Sequence, residues 1–262
     1  MQTLRLPNLS AIEGIQHHIF SRNGGCSQGD YASLNISLGV GDDVAAVQRN
    51  RRMLQGRMKT TCLIFLNQVH GTKVVTVDQH LFSNGVPEIL NAGTGDAMIT
   101  DIPGVTLVVL VADCQAVLMA DPVKHVVANV HVGWRGNVNH IIRRTITEMH
   151  HRYDCDPRDL RVGISPSLGP CCAEFIHFAD EIPEMYWHHK DGGDRFDLWS
   201  LSREQLLSEG VLPGNIHVSG ICTRCRTDRY YSYRANKTTG RFAAAIQLSI
   251  PENDDNPRDN ER

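Results

Sequence analysis

With 262 residues, 41% of them hydrophobic and 21% charged, the chain has the make-up of a soluble globular protein with room for one substantial core. Its net charge of −3, without a basic run, argues against nucleic-acid binding as the primary role. No stretch approaches the ~20 apolar residues of a membrane span, and the opening MQTLRLPNLSAIEG lacks a signal peptide's apolar core, so a cytoplasmic protein with eight reduced cysteines is expected.

In chain order, Gly14–Phe20 reads as a strand. Ser21–Asp43 is a glycine-rich loop, and its alternating SLNISLG segment marks it as ordered and lining something. Within it Asn35 is a candidate substrate-binding residue. Val44–Arg57 follows as a helix carrying Asn50, Arg51 and Arg52. Leu63–Leu66 and Lys73–Val77 are read as a strand and its return, joined by a turn that holds His70. Leu81–Thr94 is expected to be a surface excursion, and Gly95–Thr100 a short strand.

The central stretch, Val105–Asn137, organises the rest. Val105–Val111 is an apolar run of the kind buried on both faces. Ala116–Ala120 and Val126–Val130 follow as strands, so an up-down-up meander is expected to bring Cys114 and His131 to one end of a sheet. Asn137–Tyr153 has apolar residues at helical spacing, which would point a helix N-terminus and Arg135 at the same place. Beyond it, Asp159–Ser165 is a strand, His177–His188 and Ser200–Glu209 are helices, and Phe196–Leu198 is short and extended. Asn215–Ser219 and Arg241–Ile250 close the set. The tail PENDDNPRDNER is expected to be disordered. No repeat or linker interrupts residues 1–250, so the pattern predicts a single α/β domain: a layered sandwich of mixed β-sheets with outer helices.

His70, Cys114 and His131 offer the three nitrogen and sulfur ligands of a catalytic zinc site, whose fourth position is kept for water. No short metal signature joins them, and a buried cysteine with two hydrogen-bonded histidines is the bland alternative. Asp113 could serve as general acid–base beside the metal. Arg51 and Arg135 are candidates for holding an anionic group such as phosphate. Cys222-x-x-Cys225 lacks a well-shaped second pair, because Cys171 and Cys172 are adjacent, so these thiols are read as unrelated packing residues.

The motifs NQVHG, VADCQAVLMADP, VHVGWRG, SPSLGPCCAEF and CTRCRTDRYYSYR, together with FSRNGG…SLNISLGVGDD and Asn50–Arg51, resemble the YfiH-like family, also called the laccase-domain or multicopper polyphenol oxidoreductase family. The resemblance covers about residues 15–248. It implies a layered α/β sandwich and a zinc on His70, Cys114 and His131. It further implies phosphorolysis of adenosine, inosine, guanosine and methylthioadenosine, and deamination of adenosine. Ala173 and Ser165 depart from the residues expected there. A purine nucleoside and phosphate would be the partners of a monomer or homodimer, without nucleic acid or membrane. The copper of the family's name fits less well: coppers in multicopper oxidases use His-x-His pairs, and none of the thirteen histidines lies two positions from another. Two alternatives remain open, a Cys/His hydrolase or amidase with Cys114 as nucleophile, and a copper-dependent polyphenol oxidase.

Overall fold

The computed structural model describes residues 1–250; the expected disordered tail, 251–262, lies outside the described residues. Two six-stranded sheets form the frame. The first runs in the order β1 (Thr3–Leu4), β2 (Ile15–Phe20), β12 (Phe242–Leu248), β7 (Val105–Val111), β3 (Cys62–Asn67), β5 (Ile89–Thr94). The second runs β11 (Ile216–Val218), β10 (Arg161–Ile164), β8 (Gln115–Asp121), β9 (Val126–Val132), β6 (Ala97–Thr100), β4 (Val74–Thr76). Both are mixed, with β3–β7 parallel and β8–β9 antiparallel.

The sheets are apolar on both faces because each is covered twice. Along β7 the side chains alternate: Val105, Leu107, Val109 and Val111 enter the core between the sheets, while Val108 turns outward. There it meets Leu54 and Met58 of α2 (Val44–Met58), a helix capped by the Asp43 carboxylate on the Ala45 and Ala46 N–H groups. In the second sheet Ala116, Leu118 and Ala120 face inward, and Val117 and Met119 face α4 (Ile141–Tyr153). That helix buries Ile141, Ile142, Thr145, Ile146 and Met149, the stripe its sequence spacing predicts. Each such aliphatic side chain is worth roughly 1.5–3 kcal/mol on burial. Asn129 of β9, fully buried, pins the two layers by donating to the carbonyls of Leu107 and Ala244, both 2.9 Å away. The result is the expected layered sandwich. Smaller helices complete it: α1 (Pro7–Ser10), α3 (Trp134–Val138), α5 (Phe178–Glu181) and α6 (Leu198–Ser208).

Several expectations need correction. The three central strands are not one meander. β7 belongs to the first sheet and β8 to the second, so the chain crosses between layers at Ala112–Cys114. Likewise β4 does not return beside β3; it pairs in parallel with β6 in the other sheet. The supposed surface excursion contains β5, which extends the first sheet beside β3. The helix expected over Asn137–Tyr153 is broken at His140, whose φ of 63° ends α3 and lets α4 restart at Ile141. The 177–188 helix is divided by Pro183 into α5 and a 3-10 turn over Glu184–His189.

Candidate metal centre and cleft

Cys114 stands just before β8, one step beyond the register pair Gln115–Val132, and His131 sits opposite Ala116 near the end of β9. His70 arrives from the first sheet, in the turn that follows β3. The three ligand atoms lie within 4.8 Å of one another, with His70 Nε2 3.8 Å from Cys114 Sγ. The two imidazoles meet edge to face with centroids 4.8 Å apart. The expected convergence of Cys114 and His131 is present, produced by the antiparallel β8–β9 pairing rather than by a three-strand meander, and His70 joins them from the other sheet.

Asp96, which the sequence did not single out, holds this arrangement together. It is fully buried at the start of β6 and accepts hydrogen bonds from the backbone N–H groups of His70 (2.9 Å), Gly71 (2.7 Å) and Val69 (3.3 Å). Its Oδ1 also lies 2.8 Å from His131 Nδ1. With Nδ1 donating to Asp96, His131 keeps Nε2 free as a donor atom for a metal. Burial works against the Asp96 charge, but His131 and the Gly71 amide outweigh it and hold the carboxyl below its usual range. Burial likewise opposes ionisation of Cys114, yet the facing His131 and then His70 bring its thiol below the ordinary value. His131 is raised in turn, because the Cys114 and Asp96 charges overcome its desolvation.

Backbone conformation marks the same spot. His70 has φ 58° and Asp113 φ 89°, unusual for residues with side chains. Gly133 allows the close approach: a Cβ there would come 2.7 Å from His70 Cδ2 and 3.2 Å from Cys114 Sγ.

The trio opens into a cleft of about 1210 Å³ at the sheet ends. Arg51 lines it, its guanidinium 4.2 Å over the Phe65 ring and its Nε donating to the Ile36 carbonyl at 2.9 Å. Arg135 also lines it, 4.4 Å over Trp134. Arg241, Arg234 and Lys237 add positive charge that the sequence reading missed, and Phe175 and Tyr233 add aromatic surface. A lone arginine before a buried strand is a weak signal for Arg241. Nothing in the spacing marked Asp96.

Two candidates sit differently from expectation. Asp113 lines the cleft, but its Oδ1 accepts from Thr223 Oγ1 at 2.7 Å and its Oδ2 from the Arg234 N–H at 2.6 Å, so it braces two loops rather than standing free to move protons. Asn35 is fully buried and does not line the cleft. Its amide donates to Ser37 O and Asp42, and its Oδ1 accepts from the Ser37 and Arg241 N–H groups. It shapes the wall behind Arg241. Asn50 does comparable work for the 21–43 loop, bonding Ser27, Ser33, Asn35 and the Cys26 N–H.

The cysteines supply the largest correction. The sulfurs of Cys171, Cys172, Cys222 and Cys225 all lie within 4.8 Å of one another, so they are not unrelated thiols. The adjacent pair sits in a turn, where neighbouring side chains need not point apart as they would in a strand.

The architecture is a two-sheet sandwich whose His/Cys/His trio opens into a cleft carrying several basic side chains. The chain belongs to the multi-copper polyphenol oxidoreductase laccase family, whose model matches residues 16–249. It is 33% identical to the purine nucleoside phosphorylase YlmD of Geobacillus stearothermophilus over 92% of this chain and 91% of that protein. It is 34% identical to a purine nucleoside phosphorylase of Deinococcus radiodurans over 94% and 92%. The crystal structure of the Geobacillus YlmD superposes with a TM-score of 0.82 at 30% identity, covering 95% of this chain and 98% of the other. Bacillus licheniformis YfiH gives 0.81 at 28% identity, covering 90% and 93%. Among the described residues no helix is long and apolar enough to cross a membrane.

Proposed function

We propose that the chain is a zinc-dependent purine nucleoside phosphorylase that also deaminates adenosine. The observation that carries the reading is the trio of His70, Cys114 and His131 at the inner end of a cleft lined by arginines. Two imidazole nitrogens and one thiolate, within 4.8 Å of one another, suit zinc, and His70, Cys114 and His131 would hold it with a fourth ligand left to water or substrate. Bound there, zinc would supply Lewis acidity and lower the pKa of a water toward ~7.

The protein's own groups account for the rest. Arg51, Arg135 and Arg241 suit phosphate, since guanidinium groups bind its oxygens in pairs. In phosphorolysis a phosphate oxygen forms the bond to ribose C1′ while the C1′–N9 bond breaks and the base departs with that electron pair, giving ribose 1-phosphate. Phe175 and Tyr233 offer flat faces for a purine. In deamination water replaces the C6 amino group, which leaves as ammonia. Adenosine, inosine, guanosine and methylthioadenosine are the substrates expected.

The test incubates adenosine with zinc-loaded protein, with and without phosphate, beside Cys114→Ala. Adenine and ribose 1-phosphate should form only with phosphate, inosine in either case, and neither with the variant. A fully active Cys114→Ala would sink the reading.

A second reading has its own support. Cys114, His131 and Asp96 stand in the order nucleophile, base and orienting acid, the arrangement of a cysteine hydrolase or amidase. Metal-free protein that is active, and inactivated by alkylation of Cys114, would favour it. Copper-dependent oxidation of phenols would require stoichiometric copper and oxygen consumption.

A further inference from the structure

We infer that Cys171, Cys172, Cys222 and Cys225 form a second, structural metal site that takes one zinc ion in a closed tetrahedron of sulfur. A tetrahedral ion with metal–sulfur bonds of ~2.3 Å sets its ligands about 3.8 Å apart. Cys225 Sγ lies 3.6 Å from both Cys171 Sγ and Cys172 Sγ, and no pair among the four exceeds 4.8 Å. A cluster of several iron atoms would hold the sulfurs further apart, so a single ion fits.

Ordinary packing does not account for the convergence. A buried cysteine can serve as a small apolar side chain, but Cys171 and Cys225 are exposed and Cys172 is half-buried. Thiols are weak hydrogen-bond partners, and nothing in their mutual contact repays drawing together segments 53 residues apart.

The backbone is built for the approach. Cys171 and Cys172 lie in a tight turn where the Cys172 and Ala173 N–H groups both reach the Gly169 carbonyl, at 2.9 and 3.0 Å. Cys222 and Cys225 lie in a second turn, closed by the Arg226 N–H on the Cys222 carbonyl at 3.0 Å. A C-x-x-C turn of this kind presents two sulfurs to one ion. The two turns are joined by a parallel bridge between Ser167 and Cys222, with hydrogen bonds from Ser167 N to Ile221 O and from Thr223 N to Ser167 O. The Gly169 N–H also points at Cys222 Sγ, 3.3 Å away, as backbone amides do around metal-bound thiolates. Gly169 is required for that closeness, because a Cβ there would sit 3.0 Å from the Cys222 Cβ and 2.8 Å from Trp199. On binding, the thiols release their protons and the ion is enclosed, with no open position for substrate.

Its role is to fix a wall of the cleft. The first turn leads into Glu174 and Phe175, the second into Thr223, which grips Asp113, and on to Tyr233 and Arg234.

The test is metal analysis of the full chain purified without chelator, alongside cysteine alkylation read by mass spectrometry. Cys171→Ser/Cys225→Ser, two exposed positions, should lose one zinc equivalent per chain relative to the parent. Cys114→Ala should lose a different one, and the combined variant both. In the parent, Cys171 and Cys225 should resist alkylation until a strong zinc chelator is added, whereas exposed Cys26 reacts at once. Unchanged zinc content in the double variant, labelling of Cys171 and Cys225 as fast as Cys26, iron in place of zinc, or a disulfide among the four would each overturn the inference.

Discussion

The His70–Cys114–His131 trio and the four-cysteine cluster are linked through Asp113, whose carboxylate accepts from Thr223 and whose carbonyl accepts from the Leu168 N–H, yet they are built on opposite plans. The trio mixes nitrogen and sulfur, leans on a buried carboxylate, and faces a cleft of about 1210 Å³. The cluster is all sulfur, is stitched by backbone turns, and closes on itself. Open sites with three protein ligands suit chemistry, and closed sites with four suit architecture. The contrast teaches that donor count and access, more than proximity to the cleft, separate the two roles.

Substitution at the trio should therefore have the largest effect on turnover, and loss of the four-cysteine site a smaller one. Gly133→Ala sharpens this by attacking the trio without removing a ligand. The added methyl would press on His70 and Cys114, and we expect zinc at the trio and activity to fall by at least about tenfold while the zinc on the cysteine cluster stays. Normal metal content and turnover in Gly133→Ala would show that the trio tolerates far more slack than its spacing suggests.

Asp96→Asn should come next. Removing the charge weakens the grip on His131 and on the His70 turn, with an expected loss of roughly 10–100-fold in trio metal affinity or activity. Competition with a zinc indicator measures it; unaltered affinity would mean that Asp96 only fills space.

A separate effect, on stability rather than turnover, should be blind to the cysteine cluster. His17 and His18 in β2 are buried. Desolvation, helped by Arg5, lowers His17 to about 3, and desolvation with Arg57 lowers His18 to about 4. Between those values and the unfolded ~6.5 the unfolded chain binds more protons, so stability rises with pH and is lost on acidification, by up to ~1.4 kcal/mol per pH unit for each group. Melting temperatures from pH 7.5 down to pH 4.5 should fall in parallel in the parent and in the cluster variants. A curve that flattens only in cluster variants would place the acid sensitivity at the cysteines instead.

Much of the frame is legible in the residues. β7, β8 and β9 follow from apolar runs, α2 was read over Val44–Arg57, and Cys114 and His131 could be paired from strand order. Which sheet each strand joins could not be read. Both sheets are covered on both faces, so β7 and β8 carry the same apolar signature although they lie in different layers. Asp96 was invisible because a carboxylate beside a glycine looks like turn chemistry until its partners are known. The cysteine cluster was misjudged because adjacent residues diverge only in extended backbone, and Cys171–Cys172 is a turn. Asn35 was placed correctly on an ordered loop but on the side of it that faces the core.

The crossing at Ala112–Cys114 has a thermodynamic consequence. His70 hangs from the first sheet, His131 from the second, and Cys114 from the segment between them. An ion held by all three would bind only when the layers are docked, so its affinity would count toward their cohesion by mass action. Each tenfold rise in free metal above the dissociation constant would add about 1.4 kcal/mol to that cohesion. The supply of metal in the surroundings would then set how firmly the sandwich holds, as well as how many molecules can turn over.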